Sequence, residues 1–187
     1  MGTALIVVDV QVDFCEGGSM GVAGGAATAA AISRHVAAEG NQYTHIVASR
    51  DYHDDPGAHF SATPDFVTSW PVHCRVDDAG AAFHPALDVA GLEEVFSKCL
   101  FTAAYSAFEA TNPLGDALAL WLGERGVDAV VVVGIATDHC VRATALDSVG
   151  AGFATRVRLD LTAAVAPDTA AAAEREMTGA GVVLTGR

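Results

Sequence analysis

A cysteine follows the longest apolar run of the sequence, at the point where the residue pattern changes from strand to helix. Residues 130–133 are all valine, Gly134 follows, and Thr137 and Asp138, both good helix caps, come just before Cys140. A thiol in the first turn of a helix lies near the positive end of the helix dipole, which favours the nucleophilic thiolate. A small buried core cysteine is the competing interpretation of this stretch alone.

A second group of reactive side chains lies at the start of a long segment with little hydrophobic periodicity, residues 52–89. Asp51, His53, His59 and His73 provide one carboxylate and three imidazoles, a set that suits Zn²⁺, Fe²⁺ or Mn²⁺. A solvated loop in which histidines cluster by chance is the alternative. Three of the seven histidines fall between residues 51 and 73, which favours a site for one divalent metal ion.

Strands and helices must alternate along the chain to position these groups. The residue pattern predicts strands at 4–8, 45–49, 94–98, 130–136, 154–161 and 182–184, with helices at 26–38, 114–124, after Cys140 and at 167–179. Such alternation implies right-handed crossovers and a parallel sheet covered by helices. We therefore expect an α/β fold, a three-layer α-β-α sandwich around a mainly parallel six-stranded sheet, as a single domain over residues 1–187.

The carboxyl ends of four predicted strands deliver groups that can do chemistry. Asp9, Asp51 and Lys98 end or follow three strands, and the turn to Cys140 follows a fourth. Ligands of open parallel sheets bind at this edge, so we expect the four groups to meet there. A dinucleotide-binding interpretation is excluded, because the glycine-rich loop after the first strand contains no G-x-G-x-x-G.

Composition narrows the class of protein. The net charge of −13 argues against nucleic acid or an anionic membrane as a partner. No apolar run approaches the roughly 20 residues of a membrane span, and no basic leader precedes the first strand, so we expect a cytoplasmic protein. The scattered cysteines Cys15, Cys74, Cys99 and Cys140 argue against a disulfide framework.

Taken together, these motifs resemble nicotinamidases and pyrazinamidases, which are isochorismatase-like cysteine hydrolases, and most of all the bacterial, mycobacterial-type members. The resemblance runs from Leu5 to Leu161. Val12 is a departure, because many members carry Asn there. The motifs that carry the resemblance are Asp9-Val10-Gln11-Val12-Asp13-Phe14, Asp51-x-His53-x5-His59, Ser69-Trp70-Pro71-x-His73-Cys74, Lys98 and Gly134-Ile135-Ala136-Thr137-Asp138-His139-Cys140-Val141.

The resemblance implies a catalytic triad and a reaction. Cys140 would attack an amide carbonyl, Asp9 would act as general base and then acid, and Lys98 would be a fixed cation beside both. The implied activity is hydrolysis of nicotinamide to nicotinate and ammonia through a thioester, with pyrazinamide as a further substrate, in NAD salvage. Another amidohydrolase acting on a carbamoyl compound and a non-catalytic metal-binding module are the alternatives.

The resemblance also implies how the substrate is held. The Ile135–Ala136 peptide bond would be cis, and the backbone N–H groups of Ala136 and Cys140 would form an oxyanion hole. The implied metal ligands are Asp51, His53, His59 and His73, and the implied pocket walls are Phe14, Trp70, Tyr105 and Ile135. A Cys140–His139 dyad is not expected, because successive helical residues point about 100° apart, and we expect His139 to be a packing or substrate-rim residue. We expect a monomer or a small homo-oligomer.

Overall fold

The structure is a computed structural model that describes residues 2–98 and 101–186, so Cys99 lies outside the described part. Six strands form one sheet in the order β3-β2-β1-β4-β5-β6, and every neighbouring pair is parallel. The prediction of a mainly parallel six-stranded sheet is confirmed. The strands are β1 Gly2–Val8, β2 His45–Asp51, β3 Glu94–Lys98, β4 Val127–Ile135, β5 Ala154–Ala163 and β6 Val183–Thr185.

Four helices cover the two faces of the sheet: α1 Gly25–Glu39, α2 Leu118–Glu124, α3 Arg142–Gly150 and α4 Pro167–Gly179. Alternate residues of the two central strands are buried on opposite faces, as the pleat requires. Leu5 and Val131 pack in one core with Ile32 of α1. Ile6 and Val132 pack in a second core with α2, α3 and α4. Burial on both faces explains why these strands read as continuous apolar runs.

One predicted helix begins later than expected. The pattern predicted a helix from Leu114, but α2 begins at Leu118. The side-chain oxygen of Asn112 accepts hydrogen bonds from the backbone N–H groups of Leu114 and Asp116, and Gly115 has a positive φ of 91°. These local bonds form a turn that competes with the helix, so the first four predicted residues are not helical.

The long segment between β2 and β3 is irregular, as predicted, yet its backbone is well paired. The N–H of His53 donates to the carbonyl of Cys74, and the N–H of Trp70 donates to the carbonyl of His59. The Asp13 carboxylate accepts the Cys74 N–H at 2.7 Å. These bonds fold the segment back on itself and bring distant histidines to the same place.

Gly134 lies where β4 passes closest to β1. Its φ is +119°, and a Cβ there would lie 2.1 Å from the carbonyl oxygen of Val8. Only glycine fits this backbone conformation and this space. Within residues 2–98 and 101–186, no helix is long and apolar enough to cross a membrane.

Candidate active site

Lys98 is the centre of the buried cluster at the carboxyl edge of the sheet. Its Nζ lies 2.6 Å from Asp9 Oδ2, 2.9 Å from Asp51 Oδ1 and 3.6 Å from Cys140 Sγ, and it donates to the Tyr105 carbonyl at 3.0 Å. The strands β3, β2, β1 and β4 are neighbours in the sheet, and their ends supply these groups. The structure thus brings together all four groups that the strand ends predicted.

Asp9 ends β1 with a left-handed backbone conformation, at a φ of 49°. Its Oδ1 accepts a hydrogen bond from Ser49 at 2.7 Å, and its Oδ2 accepts from Lys98. Burial raises the pKa of the Asp9 carboxyl, against the opposing charge of Lys98. A raised pKa makes a carboxylate a stronger proton acceptor, as a general base requires.

Cys140 lies in a π-helical turn, Thr137–Val141, that leads into α3. The helix dipole favours the thiolate. Burial acts in the opposite direction: it raises the pKa of the Cys140 thiol well above its ordinary value, against the charge of Lys98, and Asp9 and Asp51 raise it further. A neighbouring base that accepts the proton would favour the reactive thiolate.

Three imidazoles and a carboxylate converge beside the triad. One nitrogen from each of His53, His59 and His73 lies within 4.8 Å of the other two. Asp51 Oδ2 lies 3.6 Å from His53 Nε2 and 3.5 Å from His73 Nε2. All four residues are buried. This is the donor set predicted from the sequence, and the long segment folds back as the set requires.

The protonation of the cluster suits a divalent cation. The N–H at Nδ1 of His73 donates to the Pro71 carbonyl at 2.8 Å, which directs the Nε2 lone pair towards Asp51. Burial and the nearby His53 and His73 lower the pKa of His59 to about 4, so this imidazole is a neutral ligand at physiological pH. Within the described ranges, His59 Nδ1 is buried without a hydrogen-bond partner, so its geometry suits a nitrogen that would bind a metal ion.

A mostly apolar cavity opens above Cys140 and the histidines. Trp70 Nε1 donates to the Tyr105 hydroxyl at 3.0 Å, which joins two walls of the cavity. His139 also lines the cavity, with its ring 5.6 Å from that of Trp70 in a T-shaped contact. The Ile135–Ala136 peptide is cis, as the resemblance implied. The lining residues that the sequence analysis named are Phe14, Asp51, His59, Trp70, His73, Tyr105, Ile135, Ala136, His139 and Cys140.

Comparison with known proteins identifies the family. The model of the isochorismatase domain matches residues 3–187. The chain belongs to this family. It is 58% identical to a nicotinamidase/pyrazinamidase of Mycobacterium tuberculosis over 181 residues, which cover 97% of each chain.

Solved structures agree in fold over the whole chain. A pyrazinamidase of Pyrococcus horikoshii in complex with zinc superposes with a TM-score of 0.84 at 32% identity, covering 99% of both chains. PnC1 from L. infantum in complex with nicotinate superposes with a TM-score of 0.86 at 34% identity, covering 98% of this chain and 92% of that one.

Four residues that line the cavity of this isochorismatase-family chain were missed by the sequence analysis: Met20, Val22, Ala104 and Val165. Met20 and Val22 lie in the glycine-rich loop after β1, and Val165 follows the end of β5. Their position after strand ends was a usable signal. Their apolar side chains, however, carry no chemistry that marks them as distinct from core residues.

Proposed function

We propose that this chain is a metal-dependent cysteine amidohydrolase that converts nicotinamide to nicotinate and ammonia and accepts pyrazinamide. The observation that carries the proposal is Lys98 Nζ, which joins Asp9 to the Cys140 thiol on the floor of an aromatic cavity. The histidine cluster at the cavity wall and the names of the relatives support it. NAD salvage, a cytoplasmic location and a monomer or small homo-oligomer remain part of the proposal.

The first half of the reaction forms a thioester. Asp9 accepts the thiol proton as the sulfur of Cys140 bonds to the amide carbonyl carbon. The negative charge that develops on the carbonyl oxygen is taken up by the N–H groups of Ala136 and Cys140, and Lys98 offsets the remaining charge. Asp9 then returns its proton to the amide nitrogen, the carbon–nitrogen bond breaks, and ammonia leaves.

The second half hydrolyses the thioester. Asp9, ionised again, accepts a proton from a water molecule whose oxygen attacks the thioester carbon. The carbon–sulfur bond then breaks, the sulfur regains a proton from Asp9, and the carboxylic acid leaves. One buried carboxylate with a raised pKa thus serves both halves.

The cavity walls fit a flat heteroaromatic ring. Phe14, Trp70 and Tyr105 surround the space above the sulfur, and aromatic stacking contributes about 0.5–1.5 kcal/mol beyond area burial. Asp51, His53, His59 and His73 would hold a divalent cation, which would supply a positive charge at the cavity wall that favours a ring nitrogen. Zinc, iron and manganese all suit this donor set.

The test is ammonia release from a panel of nicotinamide, pyrazinamide, benzamide and a carbamoyl amino acid, before and after chelation. We expect nicotinamide and pyrazinamide to be hydrolysed fastest, because benzamide lacks the ring nitrogen and the carbamoyl compound lacks the ring. Preferred hydrolysis of the carbamoyl compound would replace this proposal with the other amidohydrolase activity. Absence of any hydrolysis by the metal-loaded protein would favour a non-catalytic metal-binding module.

A further inference from the structure

Gln11 is fully buried beside the metal cluster, and its side-chain amide is bonded at both ends. Its Nε2 donates to the Asp51 carbonyl at 2.8 Å and to the Ala81 carbonyl at 2.9 Å. Its Oε1 accepts the backbone N–H of Asp51 at 2.8 Å. A glutamine with this many bonds in a protein interior strongly restricts the backbone groups that it contacts.

The reason for these bonds is that β2 extends past the end of β1 at this edge of the sheet. Ladder pairing between them ends at Val8 and Ser49, because Asp9 turns away with a positive φ. β2 continues to Asp51, whose N–H and carbonyl therefore have no peptide group of β1 opposite them. The amide of Gln11 takes that place and bonds both groups as a neighbouring strand would.

The position of the Asp51 backbone matters because the two oxygens of its carboxylate make different contacts. Its Oδ1 lies 2.9 Å from Lys98 Nζ of the triad, while its Oδ2 faces the imidazoles of His53 and His73. A small rotation of the Asp51 backbone would break one set of contacts or the other.

The same amide also restrains the segment that carries His73. The Ala81 carbonyl belongs to the turn Ala79–Ala81, and a Cβ on Gly80 of that turn would lie 2.1 Å from Asp13 Oδ2. Asp13 Oδ2 in turn accepts the N–H of Cys74, the residue after His73. Gln11 therefore bonds the backbone of Asp51 directly. Through the turn Ala79–Ala81, it also supports the segment that carries His73.

We propose that Gln11 is a positioning residue of the metal centre, which sets the backbone of Asp51 so that its carboxylate reaches the metal ion and Lys98 together. The inference rests on the metal site proposed above. It does not depend on which amide is the substrate, or on whether the chain hydrolyses one.

The test is zinc titration of the metal-free protein by calorimetry, without substrate, for the wild type, Gln11→Met and Gln11→Glu. Met has a similar length and no hydrogen-bonding group, and Glu keeps the shape and the acceptor but not the amide donors. We expect both variants to bind zinc about 10–100-fold more weakly, the usual effect of losing an outer partner of a ligand.

Ser148→Ala is the matched control. It removes a buried hydroxyl that lies 2.7 Å from Thr155 Oγ1, on α3 and away from the cluster. It should lower the unfolding midpoint while the zinc dissociation constant stays at the wild-type value. Weaker zinc binding by Ser148→Ala would show that any loss of stability has this effect, and would overturn the assignment.

Two further outcomes would overturn the inference. One is a folded Gln11 variant with the wild-type zinc affinity. The other is failure of both Gln11 variants to fold, which would make the amide a requirement of the fold itself. A wild-type protein that binds no zinc would overturn the metal site, and this inference with it, whereas loss of amidase activity alone would affect only the proposed function.

Discussion

At the scale of single residues, the geometry of the site depends on one buried lysine that contacts several polar groups at once. Lys98 Nζ lies within 3.0 Å of oxygens of Asp9, Asp51 and Tyr105. Burial raises the pKa of Asp9 and of the Cys140 thiol, and Lys98 opposes both shifts. The proton that Cys140 must lose is therefore adjacent to a carboxylate that is ready to accept it.

Ser49→Ala is expected to change the pH dependence of the reaction. The Ser49 hydroxyl donates to Asp9 Oδ1 and lowers the pKa of Asp9, so its loss should raise that pKa further. Because Asp9 must be ionised to act as a base, the acid limb of the kcat/KM profile should move to higher pH. On the acid limb, we expect kcat/KM to be on the order of tenfold below the wild-type value at the same pH, because one hydrogen bond to a charged group is lost.

The measurement is the full pH profile of kcat/KM for nicotinamide, with Ser148→Ala as control. Ser148 is buried in α3 and bonds Thr155, so its variant should keep the wild-type profile. An unchanged acid limb in Ser49→Ala would show that Asp9 is not the group that limits the reaction at low pH.

At the scale of elements, the turn that carries the nucleophile is tied to the start of α4. The Asp138 carboxylate accepts the N–H of Val165 at 3.0 Å and the N–H of Ala166 at 3.2 Å, and it also accepts the Thr169 hydroxyl. Asp138 thus bonds the two residues that precede α4 and the Thr169 side chain of its first turn, near the positive end of the helix dipole. Since Val165 lines the cavity, this bond also holds one cavity wall near Cys140.

Asp138→Asn should lower the free energy of unfolding by about 1–2 kcal/mol at pH 7, because the hydrogen bonds from Val165, Ala166 and Thr169 lose their charged acceptor. Burial acts to raise the pKa of Asp138, but its hydrogen bonds outweigh burial and hold the pKa below the ordinary value. The carboxylate therefore stabilises the fold above its unfolded-state pKa, and this contribution is lost as pH falls through the lower folded-state pKa. Urea unfolding at several pH values checks this, and a difference between the two proteins that does not narrow in acid would contradict it.

Gly134→Ala and Gly123→Ala form a matched pair. At Gly134, a Cβ would lie 2.1 Å from the Val8 carbonyl oxygen at a φ of +119°, so alanine should cost more than about 3 kcal/mol or prevent folding. At Gly123, inside α2, a Cβ meets nothing within 4 Å, so alanine should stabilise the helix by up to about 1 kcal/mol. Thermal unfolding distinguishes them, and similar midpoints for the two variants would contradict this account of Gly134.

At the scale of the whole molecule, the order of apolar runs, and of the glycine, proline and polar residues that separate them, was enough to predict a parallel sheet covered by helices. The apolar run of β4 and the positions of Asp9 and Lys98 after predicted strands indicated that these groups and Cys140 share one edge of the sheet, and the family resemblance implied their roles as a triad. The start of α2 was not predictable from apolar spacing, because Asn112 competes for the same backbone groups. The helix-dipole argument for the thiolate considers one turn alone, and it omits burial and the two carboxylates that other strands supply.

Chelation of the metal should lower both activity and stability. His53, His59 and His73 are buried close together beside Asp51, and an ion bound there would stabilise the fold by an amount that grows with its affinity. We expect a lower unfolding midpoint after dialysis against a chelator and recovery of midpoint and activity with zinc or manganese. An unchanged midpoint and full activity after verified metal removal would contradict the metal site.

The most direct test of the account is ammonia release from nicotinamide by the wild type and by Cys140→Ala and Cys140→Ser. We predict a loss of at least about 10³-fold in kcat for both variants, because neither supplies a thiol that can form the thioester. Their unfolding midpoints and zinc affinity should stay close to those of the wild type. Release of ammonia by Cys140→Ala at the wild-type rate would contradict the central claim, that the sulfur of Cys140 is the nucleophile.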